Sequence, residues 1–273
     1  MDGTGNTLDQ LELARRLSPA YAAVEVVGST GSTNADLLAE AQRGAADRTA
    51  LIAEEQTAGR GRRSREWVSP RGSGLYLSVL LRPVDVPPSQ LGTLSLVAGL
   101  ALARTVTGLG VDAVLKWPND LLAGPARAKC AGVLSEVDPA STTVVVGIGL
   151  NVTPLSTEVP AGAGGLPATS LAAEGARDTD RTEVAVALLS AFAELELAWR
   201  HGGGDLERAG LLDEYRERCV TLGSEVRVEL PDAAAITGVA ADVDGSGQLI
   251  LDAGDTRKTV SAGDVVHLRA NSG

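Results

Sequence analysis

The chain has 273 residues, 44% hydrophobic and 22% charged, enough to bury a core without disulfide or metal staples. Its net charge of −11 lacks the basic footprint of a duplex-DNA binder, and its two cysteines, Cys130 and Cys219, sit outside any C-x-x-C pair, which argues against a disulfide scaffold or a metal knuckle. The opening MDGTGNTLDQ has neither the basic nor the apolar region of a signal peptide, and no apolar run reaches the roughly 20 residues of a bilayer span, so a soluble cytoplasmic protein is expected.

In chain order, a short helix is predicted around Leu11 to Leu17, stopped by Pro19, followed by a strand at 21–28. Ser32 and Thr33 offer N-caps, and Asp36 stands three residues after Thr33 as a near capping box. Leu37, Leu38 and Ala41 form the face of a helix that ends at Gly44. A strand at 49–55 leads into a Gly- and Arg-rich loop at 57–74, then a strand at 75–83 and one long apolar helix at 87–110. VLKW, NDLLA, AGVLSEV and TTVVVGIGLNV read as successive strands, and 154–180 as loop. Helices are predicted at 182–200 and 205–219. After Cys219 five short strands separated by PD, DGSG and AGD turns indicate a small barrel. These elements predict an α/β (α+β) protein with a mixed β-sheet and flanking helices in residues 1–219, and a small C-terminal β-barrel in residues 220–273.

The most distinctive stretch is GRGRRSREW (59–67). Glycine lets backbone approach a ligand closely, and arginine grips carboxylate and phosphate in bidentate fashion. The composition suits enclosure of an anion, and equally a solvated basic loop or a nucleic-acid patch. In KWPND (116–120), Trp117 and Pro118 frame a turn, while Lys116, Asn119 and Asp120 offer groups for a metal, a phosphate or an amine. An ordinary strand-to-turn junction has the same residues. In AKCAGVLSEV (128–137), Lys129 opens an apolar strand and Gly132 leaves space beside it. Only three lysines, Lys116, Lys129 and Lys258, stand against an abundance of arginine, so a lysine at 129 carries weight. GSTN (31–34) offers hydroxyls and free N–H groups at a helix start, for capping or for a polar ligand. GIGLNV (147–152) is a poor dinucleotide fingerprint, because no third glycine and no helix follow it.

Together and in this order, GSTNADLL, EEQTAGRGRRSREW, LKWPNDLL, KCAGVLSEV and VGIGLNV resemble the biotin–protein ligases, over about residues 24–172. Ser64 departs from that pattern, where the family often has Gly, and would stiffen the loop slightly. The resemblance implies a class II synthetase-like catalytic domain with a C-terminal SH3-like barrel. It implies ATP-dependent activation of biotin to biotinyl-AMP, with Mg2+, and transfer of biotin to a lysine of a biotin carboxyl carrier domain of an acyl-CoA carboxylase. It places Ser32, Thr33, Asn34, Gln56, Arg60, Gly61, Arg62, Lys129 and Gly132 against biotin. Arg60, Arg62, Trp67, Lys116, Asn119, Lys129 and Asn151 fall on the ATP side, with Asn119 a metal ligand and Arg62, Lys129 and Asp120 catalytic. Some members carry an N-terminal helix-turn-helix domain. Only about 23 residues precede the first strand here, so a form without DNA as partner is expected, as a monomer or weak homodimer. A lipoate or octanoyl ligase of related fold and a non-enzymatic biotin-responsive regulator are the alternatives.

Overall fold

The computed structural model describes residues 7–138, 141–155, 165–230, 234–261 and 263–268. Helix α1 (Gln10–Leu17) starts at Asp9, whose carboxylate accepts from the Glu12 amide, and buries Leu13 and Leu17. Strands β1 (Ala23–Val27) and β2 (Thr49–Ala53) pair in parallel across α2 (Thr33–Gln42). The remaining neighbours are antiparallel: β3 (Gly74–Leu81), β7 (Val144–Asn151), β6 (Ala128–Val137), β5 (Asp120–Ala123) and β4 (Ala113–Lys116). The seven strands lie in the order β1-β2-β3-β7-β6-β5-β4, the mixed sheet that the sequence predicts.

Side chains alternate across a sheet, so the cross-strand register decides which residues share a face. Leu75, Leu77, Val79 and Leu81 of β3 join Val144, Val146, Ile148 and Leu150 of β7 in the main core, against α3 (Leu94–Gly108) and α4 (Arg181–His201). On the opposite face, Leu80 and Val145 meet Leu37 and Ala41 of α2 in a small second core. Farther along that face the strands present Ser78, Gly147 and Gly149, paired with Leu134 and Gly132 of β6.

Three expectations change. The apolar stretch at 87–110 is a 3-10 turn (Pro88–Thr93) running into α3, and Pro88–Gly108 is after all long and apolar enough to cross a membrane. Most of it is buried under the sheet, which accounts for its composition. The helix expected at 205–219 is only α5 (Leu212–Arg218). The Asp205 carboxylate accepts from the amides of Glu207 and Arg208, and Gly210 at φ 71° turns the chain, so 205–211 folds as turns. Of the loop at 154–180, residues 156–164 lie outside the described part. Residues 167–169 run beside Lys129 through paired backbone bonds, Lys129 N to Pro167 O and Thr169 N to Lys129 O.

The C-terminal strands β8 (Glu225–Glu229), β9 (Ala235–Val243), β10 (Leu249–Ala253), β11 (Thr256–Val260) and β12 (Asp264–His267) form one antiparallel sheet ordered β11-β10-β9-β8-β12. Val226, Val228, Ala240, Val243 and Leu251 belong to the same continuous apolar cluster as α3 and α4. The seam is also hydrogen-bonded: Trp117 Nε1 donates to Gly247 O, and the Trp117 amide to Thr221 Oγ1.

The deepest ion pair ties the N-terminal segment to the sheet. Arg181 at the start of α4 is 1% exposed, and its Nη2 lies 2.6 Å from Glu54 Oε2. Glu54 Oε1 accepts the amide of Leu8. Breaking a buried pair from one side leaves the other charge in a low-dielectric site. Glu54→Ala is therefore expected to lower unfolding free energy by about 3–5 kcal/mol in urea titration. A loss under about 1 kcal/mol would show that this pair does not anchor the fold.

Candidate functional site

Beyond the end of α2 the glycines of β6 and β7 leave the face open between Leu134 and Lys129, and it carries a cavity of about 210 Å³. Residues from Ser32, Thr33 and Gln56 at one end to Trp67, Asn119, Lys129 and Asn151 at the other line it. The glycines are structural requirements. A Cβ on Gly147 would lie 2.3 Å from Asn34 Oδ1, and one on Gly149 would lie 2.4 Å from the Trp67 indole. The Gly-x-Gly of GIGLNV thus lets an amide and an indole approach the sheet backbone closely.

The first end is a polar network. Gln56 Oε1 accepts from the amide of Thr33 at 2.9 Å and lies 3.0 Å from Thr33 Oγ1. Thr33 Oγ1 is 2.7 Å from Ser78 Oγ, which lies 2.6 Å from Asn34 Oδ1. Two hydroxyl protons serve these three oxygen–oxygen contacts, so this end holds more acceptors than donors. Gln56 Nε2 donates to Ser69 Oγ. Ser32 occupies the N-cap of α2 yet makes no side-chain cap bond, which leaves its hydroxyl on the cavity wall. Asp36 bonds Thr30 instead of closing a capping box with Thr33.

The second end is cationic and aromatic. Lys129 Nζ lies 2.7 Å from Asp120 Oδ1, with the carboxylate almost fully buried, and 5.5 Å from the centre of the Trp67 ring. Arg62 Nη1 approaches Asn119 Oδ1 at 3.4 Å, and Asn119 Nδ2 donates to Val133 O. Burial lowers the Arg62 pKa, opposed by Asp264 and Asp120, and an arginine remains charged. Arg60 also lines the cavity, without an ion pair among the described residues. Asn151 is buried, its amide donating to Thr169 O. Cys130, on the opposite face of β6, has its thiol pushed up to about 12 by burial and is inert.

Lys116 is not brought into the cavity. It is buried at the end of β4 and donates from Nζ to Val265 O of β12, 2.6 Å away, with its pKa lowered by burial. It spans the seam to the C-terminal sheet rather than facing the cavity, because it lies at the sheet edge on which that unit packs. The other expected site residues converge on one cavity or, for Asp120, abut it through Lys129.

The four arginines of GRGRRSREW divide by direction. Arg60 and Arg62 turn to the cavity, whereas Arg63, in the left-handed region at φ 54°, turns away. Its Nη2 donates to Glu229 O and Leu230 O, and its Nη1 lies 3.6 Å from Asp264 Oδ2. Arg65, at the cavity rim, lies 3.0 Å from the same carboxylate. The side chain of Ser64 lies outside the described part. Sequence reasoning missed Asp264, Ser78, Glu136, Leu166 and Ala168. Ser78 and Glu136 were legible only as polar residues inside apolar strands, and the others gave no signal.

Two family models match the chain: the biotin/lipoate A/B protein ligase family over residues 26–152 and the biotin protein ligase C-terminal domain over 221–268. The chain is 45% identical over 270 residues to the biotin--[acetyl-CoA-carboxylase] ligase of Mycobacterium tuberculosis, covering 96% of each. It belongs to the biotin protein ligase family. It is also 33% identical to the bifunctional ligase/repressor BirA of Escherichia coli, over 90% of this chain and 73% of that one. Among solved structures, the biotin protein ligase of Aquifex aeolicus in complex with biotin and ATP superposes with a TM-score of 0.75 at 28% identity, over 92% of this chain and 100% of that one.

The Arg63 and Arg65 contacts latch the loop to the C-terminal sheet. Partly exposed ion pairs contribute roughly 0.2–1 kcal/mol each. Asp264→Ala removes a carboxylate that both arginines share, so tryptic cleavage between Arg60 and Arg65, mapped by mass spectrometry, should accelerate about fivefold. An unchanged rate would mean that the loop is held without the latch.

Proposed function

We propose that this chain activates biotin with ATP to biotinyl-5'-AMP and then transfers biotin to a lysine of a biotin carboxyl carrier domain of an acyl-CoA carboxylase. The observation that carries the reading is a single cavity with an acceptor-rich amide and hydroxyl network at one end and Lys129, Arg60, Arg62 and Trp67 at the other. The ureido ring of biotin presents N–H donors and a carbonyl, which suits Ser32, Thr33 and Gln56. Its carboxylate and the α-phosphate are both anions, and their approach needs the positive charge of Lys129, Arg60 and Arg62. Trp67 and Asn151 are assigned to the nucleotide.

In the first step a biotin carboxylate oxygen attacks the α-phosphorus, the bond to the β-phosphate bridging oxygen breaks and pyrophosphate leaves. In the second the acceptor amine attacks the acyl carbon, the bond to the AMP oxygen breaks and AMP leaves. Asp120, paired with Lys129, is the carboxylate placed to take the proton that the amine sheds. The adenylate is a mixed anhydride that water hydrolyses, so a loop held over the cavity protects it.

Magnesium would enter this scheme with the nucleotide and would supply charge neutralisation there. Among the described residues no group of three His, Cys, Asp or Glu could hold a metal. Asn119, the expected ligand, has Oδ1 beside the Arg62 guanidinium, a poor setting for a second cation. We also infer a division into a catalytic unit, 1–219, and a C-terminal SH3-like unit, 220–273. The family match at 221–268 and the separate five-stranded sheet support it.

The test is mass spectrometry of a carrier domain after incubation with the protein, biotin and MgATP, beside pyrophosphate exchange with biotin and with lipoate. A mass gain of one biotin and exchange with biotin alone are expected. Exchange with lipoate alone would overturn the reading. Lys129→Ala should cut biotin-dependent exchange by roughly a hundredfold, the scale for loss of one transition-state donor. Activity within a fewfold of wild type would remove Lys129 from the chemistry.

A further inference from the structure

The polar end of the cavity has a fixed direction of hydrogen bonding, and one carboxylate, beside a backbone carbonyl, sets it. Glu136 stands opposite Val145 on β6 and β7, four pairs beyond Gly132 and Gly149, on the face that carries the cavity. Its Oε2 lies 2.7 Å from Asn34 Nδ2, which also lies 3.1 Å from Leu134 O. Both partners are acceptors only, so the amide group of Asn34 must point its NH2 at them. Asn34 Oδ1 is then committed to the other side, where it accepts from Ser78 Oγ at 2.6 Å. With its proton given to Asn34, Ser78 can only accept in its 2.7 Å contact with Thr33, so Ser78 Oγ and Gln56 Oε1 both call on the one Thr33 proton and leave the Thr33 oxygen an acceptor toward the cavity. The orientation of the Thr33 hydroxyl on the cavity wall thus depends on a carboxylate two residues removed from it. Both N–H groups of Asn34 are spent on the protein and its Oδ1 accepts from Ser78, so Asn34 serves as a wall and a relay.

We propose that Glu136 is a positioning residue for the biotin end: through Asn34 and Ser78 it fixes the proton pattern that Thr33 presents to the ligand. The inference rests on the reading of this cavity as a biotin site. Without Glu136 the Asn34 amide is oriented by Leu134 O alone, and the polarity of the Ser78–Thr33 pair is held less firmly.

The test is pyrophosphate exchange with biotin and ATP varied separately, on wild type, Glu136→Ala, Glu136→Gln, Ser78→Ala and the double variant Glu136→Ala with Ser78→Ala. Glu136→Ala should raise the KM for biotin about tenfold, with kcat and the KM for ATP within about twofold of wild type, the pattern of lost uniform binding. Glu136→Gln can still offer an acceptor oxygen to Asn34 and should restore most of the affinity. The double variant should be no worse than the worse single one, because both act through one chain of bonds. An unchanged KM for biotin in Glu136→Ala, or an equal rise for both substrates, would overturn the proposal. Calorimetric titration of wild type with biotin separates the two levels: no binding there defeats the site reading, while binding unaffected by Glu136→Ala defeats only the role of Glu136.

Discussion

Everything in the cavity depends on close approach to a sheet that is bare at three positions. Gly132, Gly147 and Gly149 share one face of β6 and β7, and the close approach of Asn34 and Trp67 uses the space a Cβ would take. Interiors pack to crystal-like density, so a methyl group at such a contact forces its neighbours off their rotamers. The amide on Gly147 anchors the hydroxyl network, and the indole on Gly149 carries Lys129 over its face. One constraint on two adjacent strands thus places both chemically distinct ends of the cavity.

The second organising element is charge. Arg60 and Arg62 face inward, while Arg63 and Arg65 are spent on Asp264 and the carbonyls of Glu229 and Leu230. The same seam is held from beneath by Lys116 on Val265 O and by Trp117 on Gly247 O. The C-terminal sheet therefore grips both the turn that carries Asn119 and Asp120 and the loop that carries Arg60 and Arg62. Its contribution is to orientation, since none of its residues lines the described cavity.

The strands were legible because they are apolar runs with clear turn residues between them, and the cavity residues were legible because five motifs fall in a recognisable order. What was hidden is directional or distant. Four arginines in six residues carry no mark of which face the cavity, because the turn at Arg63 and a carboxylate about 200 residues away decide it. Lys116 reads like Lys129 until the packing of the C-terminal sheet shows where its amine goes. GIGLNV looked like a failed nucleotide fingerprint, since a sequence does not show that an indole and an amide from elsewhere need the space. The helix expected from 205 failed for a local reason, the side-chain cap at Asp205 and the turn at Gly210.

The central claim is that the two glycines of β7 seat the two ends of the site separately. Pyrophosphate exchange on Gly147→Ala and Gly149→Ala, with each substrate varied in turn, tests it most directly. The account predicts that Gly147→Ala, which crowds Asn34, raises the KM for biotin and spares that for ATP. Gly149→Ala, which crowds Trp67, should raise the KM for ATP and spare that for biotin. Wild-type constants for both substrates in both variants, or equal losses in both, would contradict it.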